Sequence, residues 1–96
     1  MGGRIIYSLD DLGNSRIKLT KPLSITLVIN EDEVIAKCKA LGLYGSGKQP
    51  QDAINELCKS IVDYYETLSE ERDRLGPLPQ GHWEFLKGII EEEGKR

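Results

Sequence analysis

The sequence predicts an α+β fold: an antiparallel sheet of three or four strands in a meander, one main helix packed on one face, and a helix at the C-terminus. Three observations predict it. Apolar residues recur at every second position from Leu23 to Ile29 and again from Val34 to Cys38. From Ile54 to Leu68 they recur at every third or fourth. Between these regions lies Leu43-Tyr44-Gly45-Ser46-Gly47-Lys48-Gln49-Pro50, an apolar run that ends in alternating glycines and a proline. Period two belongs to strands and period 3.6 to helices, so the chain changes structure at this bend.

Residues 4–9 read as a short strand. Residues 10–15, Asp-Asp-Leu-Gly-Asn-Ser, are rich in turn formers and read as a loop. Residues 16–20 alternate polar and apolar until Pro22 interrupts them, which fits a half-exposed strand. In residues 23–29, Leu23, Ile25, Leu27 and Ile29 share one face and Ser24, Thr26 and Val28 the other, as a strand with one buried face requires. A polar break of hairpin length, Asn30-Glu31-Asp32-Glu33, precedes Val34, Ala36 and Cys38 on one face and Ile35, Lys37 and Lys39 on the other. A further strand is expected at about 41–46, next to a turn or bulge at Gly42. Gly45 and Gly47 are read as turn residues, because glycine adopts backbone angles other residues resist. Pro50 is read as the first helical residue, where its missing N–H costs nothing. The helix is predicted at about 51–67, with Ile54, Leu57, Cys58, Ile61, Tyr64, Tyr65 and Leu68 on one face. Ile54, Leu57, Ile61 and Tyr65 are expected to pack onto Ile25, Leu27, Ile29, Val34 and Ala36. Ser69 can cap one more turn, and Gly76-Pro77-Leu78-Pro79 must end it. A last amphipathic helix is predicted at about 80–93, with residues 91–96 fraying into solvent.

Ninety-six residues make one small domain: a core at 23–68, an N-terminal arm at 1–22 and a helical extension at 69–96. A chain this short buries only about 60–65% of its unfolded surface, so association would help it. Net charge is −3, unevenly spread: residues 1–48 carry seven basic against five acidic groups, residues 49–96 six against eleven. The acidic half repels phosphate, which argues against a general nucleic-acid binder, and it can complement a basic partner. No apolar run is long enough to span a bilayer, and no secretory signal precedes the domain. A cytoplasmic location with reduced thiols follows as the expectation.

No catalytic or metal-binding constellation is legible. Cys38 and Cys58 lie on apolar faces and lack zinc spacing. His82 is the only histidine and has no obvious partner. Ser46 lies in Gly-Ser-Gly, not in the Gly-x-Ser-x-Gly nucleophile elbow, and Gly45-Ser46-Gly47-Lys48 lacks the spacing of a phosphate loop. Asp10, Asp11, Glu31 and Asp32 fall in loops rather than on adjacent strands, where a metal-dependent nuclease would need them. The basic residues Arg16, Lys18, Lys21, Lys37, Lys39 and Lys48 cluster in the first half. They raise an RNA-binding alternative that lacks stacking aromatics. Trp83, Phe85, Leu86, Ile89 and Ile90 exceed what one short helix can hide on a small sheet. Either the last helix packs in the groove beside the first, or these residues form the interface of a homodimer or higher oligomer, which is the favoured expectation.

Residues 23–68 resemble the HicB antitoxin family. The likeness rests on Ala36-Lys37-Cys38, Leu41-Gly42-Leu43, Tyr44-Gly45-Ser46-Gly47 and the helix start Gln49-Pro50-Gln51-Asp52-Ala53. The resemblance implies a non-catalytic protein, without cofactor or metal, that covers a small basic RNA-cleaving toxin, so that RNA is met only indirectly. Gln49 departs from the Thr or Ser of the family pattern, removing a cap worth about 1 kcal/mol. Residues 69–96 show no ribbon strand followed by two helices, so DNA binding is not expected.

Overall fold

The structure, a computed structural model, describes residues 3–92. Strands β1 (Gly3–Leu9), β2 (Ile17–Leu19), β3 (Leu23–Ile29), β4 (Val34–Cys38) and β5 (Leu43–Gly47) precede helices α1 (Pro50–Glu70) and α2 (Pro77–Lys87) and a last strand β6 (Ile90–Glu92). The four-stranded antiparallel sheet has the order β1-β3-β4-β5, and β2 pairs with β6 in a separate two-stranded sheet. The fold is α+β, with α1 as the main helix and α2 as the second. The described part of the N-terminal arm is thus divided between the two sheets, and β1 runs along the whole of β3, from Gly3 opposite Ile29 to Leu9 opposite Leu23.

Alternation fixes the two faces. Leu23, Ile25, Leu27, Val34, Ala36 and Cys38 are all buried on the helix side. Ile29 is only partly buried, packed against the same core. The β3–β4 loop closes through Asn30 N–H donating to the Glu33 carbonyl at 2.9 Å. The β4–β5 connection turns at Gly42, whose φ of +69° lies in the region that favours glycine. Asx turns organise the loop after β1: Gly13 N–H donates to Asp11 Oδ1 at 2.8 Å, and Arg16 N–H to Asn14 Oδ1 at 2.8 Å.

Gly45 and Gly47 are not the turn residues that the pattern suggested. Both lie in β5, and among the described residues the left-handed glycines are Gly13 and Gly42. Their function is close approach. A Cβ on Gly45 would lie 2.3 Å from the Leu57 backbone nitrogen and 2.7 Å from the Ala53 carbonyl oxygen. On Gly47 it would meet the Asp52 Cβ at 2.4 Å. The α1 backbone therefore rests on the β5 backbone, and the helix packs chiefly on β5 and next on β4 rather than centrally across β3. Pro50 opens α1 as expected, and the Gln49 side chain makes no cap bond. Ala53, Ile54, Leu57, Cys58, Ile61, Val62, Tyr65 and Leu68 are buried.

The C-terminus departs from expectation. The last helix ends at Lys87 instead of reaching residue 93, and Ile90–Glu92 forms β6. Glycine at 88 weakens the helix and two β-branched residues follow it. Thr20 N–H donates to the Ile89 carbonyl at 2.7 Å, and Ile17, Lys18 and Leu19 pair with Glu92, Glu91 and Ile90. Residues 93–96, expected to fray, lie outside the described residues.

Replacing Gly45 with alanine should destabilise the chain by about 1–3 kcal/mol, because α1 must lift off β5. At Gly81, within α2, an added Cβ meets nothing within 4 Å, so alanine there should stabilise by about 0.5–1 kcal/mol. Urea unfolding of the two variants checks the opposite signs.

Candidate functional site

The exposed side of α1 carries an acidic stripe. Asp52, Glu56, Asp63, Glu66 and Glu70 follow one another at helical spacing together with Lys59, and all six are exposed. At 100° per residue they fall within about 40° of one line, directly opposite the buried row. Over 18 residues at 1.5 Å rise the stripe is about 27 Å long. Its single basic group is already engaged, since Lys59 Nζ lies 3.6 Å from Glu56 Oε2. An open groove of about 650 Å³ runs beside the stripe's N-terminal half, lined by Tyr44, Ser46, Asp52, Glu56 and Lys59 among others.

The second accessible surface is the outer face of the sheet. The least extent of the backbone is 18 Å, which allows one helix layer on one sheet at about 10 Å spacing. Arg4, Ile6 and Ser8 of β1 lie on this face beside Val28, Thr26 and Ser24 of β3. On the other side, Lys37 stands opposite Thr26 and Tyr44 opposite Lys37, with Ile35 opposite Ser46. Tyr44 is 68% exposed. An exposed aromatic ring thus neighbours a lysine on the open face, a pairing hidden in the sequence because it depends on the β4–β5 register.

The basic residues of the first half do not converge. Arg16 Nη2 lies 3.5 Å from Glu92 Oε2, and Lys18 stands opposite Glu91. Lys39 lies in the turn after β4 and Lys48 in the bend before α1.

The aromatic C-terminal group is mostly covered within the chain. Trp83, Leu86, Ile89 and Ile90 are buried, and Phe85 is 39% exposed. Trp83 packs on Tyr65 with ring centroids 5.5 Å apart, and Lys87 Nζ lies 5.7 Å from its ring. His82 has a partner after all: its Nδ1 is 2.6 Å from the Tyr64 hydroxyl, which ties α2 to α1. Tyr65 donates to Glu92 Oε1 at 3.2 Å, linking α1 to β6. Burial first, then the charge of Glu92 and the hydrogen bond to it, push the Tyr65 phenol above its ordinary 10.0.

Cys38 and Cys58 are free thiols in the core. Burial raises both above the ordinary 9.0; for Cys38 the backbone bonds of Leu41 and Ala40 offset part of this, and for Cys58 the Asp11 carboxylate adds to it. Among the described residues, no three His, Cys, Asp or Glu side chains gather as a metal site, and no helix is long and apolar enough to cross a membrane.

The raised thiols make an alkaline prediction. A thiol whose folded value exceeds its unfolded 9.0 leaves stability intact below that pH and removes it as pH rises through the folded value. The urea midpoint should therefore fall between about pH 8 and about pH 10, and fall less in the double variant Cys38→Ala, Cys58→Ala. Paired unfolding curves at the two pH values measure the difference.

No family model, no curated protein and no solved structure matches the chain.

Proposed function

We propose that this chain is an antitoxin-like protein-binding domain, cytoplasmic and non-catalytic, that associates with itself and covers a small basic RNA-cleaving toxin. The observation that carries this reading is the acidic stripe of α1, five carboxylates on a rigid helix with one engaged lysine among them. Such a surface steers a cationic partner and fixes its register. The resemblance of residues 23–68 to HicB antitoxins supplies the identity of the partner class. No cofactor, metal or DNA has a part in this mechanism.

Charge reversal tests it. Asp63→Lys, Glu66→Lys and Glu70→Lys together alter only exposed positions, so folding should survive. Binding to a small basic toxin encoded beside this chain should weaken by at least about tenfold, and rescue of growth on co-expression should be lost. Rescue unaffected by the triple reversal, or no complex with the native chain, would count against the reading.

A second reading draws on Tyr44 beside Lys37. An exposed ring next to a cation on an open sheet face can stack a base of single-stranded RNA and hold its phosphate. It predicts that Tyr44→Ala weakens binding to a short RNA and that affinity falls with added salt. A fluorescence titration that shows no salt-dependent binding removes this reading and leaves the first untouched.

A further inference from the structure

We propose that the free edge of β1 is the interface between two copies of this chain, paired antiparallel about a two-fold axis at Ile6. This deepens the self-association within the proposed function and owes nothing to the toxin.

β1 lies at the end of the sheet and, among the described residues, pairs only with β3. Every second residue of such a strand points its N–H and C=O away from its neighbour. The strand is seven residues long, and six of them, Gly3 to Ser8, are exposed. Ile5 is 49%, Ile6 72% and Tyr7 40% exposed. Exposed apolar side chains therefore stand on both faces of an open edge. Protected edges carry prolines, bulges or central charges. Here the sole charge is Arg4, and no proline interrupts the strand.

The strand is complementary to itself. Its midpoint is Ile6, so a two-fold axis there uses its whole length. Ile6 then faces the partner's Ile6 on the outer face. Ile5 faces the partner's Tyr7 on the helix side, and Arg4 faces the partner's Ser8. No like charges meet, and the isoleucine and tyrosine pairs are of the kind that stabilise cross-strand contacts. Joining two four-stranded sheets gives eight strands, within the usual size of an open sheet. Such an isologous contact closes on itself, leaving no free β1 edge to recruit a third copy. The opposite edge is less suited, because β5 has five residues, two of them glycine.

Sedimentation of the native chain over about 1–200 µM should show a monomer–dimer equilibrium. Ile6→Lys places two ammonium groups face to face and should weaken the dimer at least about tenfold. Ser8→Glu sets a carboxylate opposite the partner's Arg4, twice per dimer, and should tighten it about 2- to 30-fold. Ser8→Lys should weaken it, and adding Arg4→Glu to that variant should restore it. These positions are exposed, so far-ultraviolet circular dichroism, and unfolding midpoints taken where the chain is monomeric, should stay near native. A native chain that is monomeric throughout overturns both self-association and this interface. A dimer indifferent to Ile6→Lys and to the sign of charge at position 8 overturns the β1 interface alone, leaving self-association standing.

Discussion

The backbone of α1 lies directly on the backbone of β5, and this contact governs much of what the molecule presents to its surroundings. It requires that no side chain stand between them. Gly45 and Gly47 meet that requirement, since a Cβ at either position would come within 2.5 Å of a helix atom. Closeness at β5 draws the helix toward that side of the sheet. The far side is then left beyond its reach, so that on the helix side of β1 Ile5 and Tyr7 stay exposed, while Ile6 is exposed on the outer face. Two small residues at one edge thus bear on the exposure of Ile5 and Tyr7 at the other.

The same placement sets the direction of the acidic stripe. The helix is amphipathic with its buried row centred on Leu57, Ile61 and Leu68. Once that row faces the sheet, Asp52, Asp63 and Glu70 point away from it at helical spacing. Charge on this face costs nothing in desolvation, and among the described residues no polar or charged side chain is buried. The proposed recognition by the stripe and the proposed pairing through β1 use separate parts of the surface, so a partner could reach the helix while the sheet edge is occupied.

Much of this was legible from residue spacing. The alternation at Leu23–Ile29 and at Val34–Cys38 defined strands with the correct buried faces, because one side of each had to be apolar. Pro50 marked the start of α1 to the residue. The glycines were found for the wrong reason: a Gly-x-Gly pattern does not distinguish a turn from a tight helix–strand contact, since both need a missing Cβ. The C-terminal strand was missed because Trp83, Leu86 and Ile90 fit a helical stripe equally well. Gly88 followed by Ile89 and Ile90 was the available signal, together with a short strand at Ile17–Leu19 that needed a partner. The Tyr44–Lys37 and Tyr64–His82 neighbours depend on register and on helix docking, neither of which local periodicity encodes.

That missing strand changes how the ends of the chain contribute to stability. β6 returns to β2, Glu92 accepts from Tyr65 and lies near Arg16, and Ile89 and Ile90 complete the core. The C-terminal segment is therefore a closing element, where a free amphipathic helix would have offered its apolar face to another molecule. Trp83, Leu86, Ile89 and Ile90 are spent on this closure, and Phe85 alone of that group stays exposed. Three consecutive exposed side chains, Ile5, Ile6 and Tyr7, stand instead in β1, where open backbone groups accompany them. An edge that offers both backbone hydrogen bonds and apolar contact suits association, because alternate residue pairs add hydrogen bonds while the side chains of the others add contact.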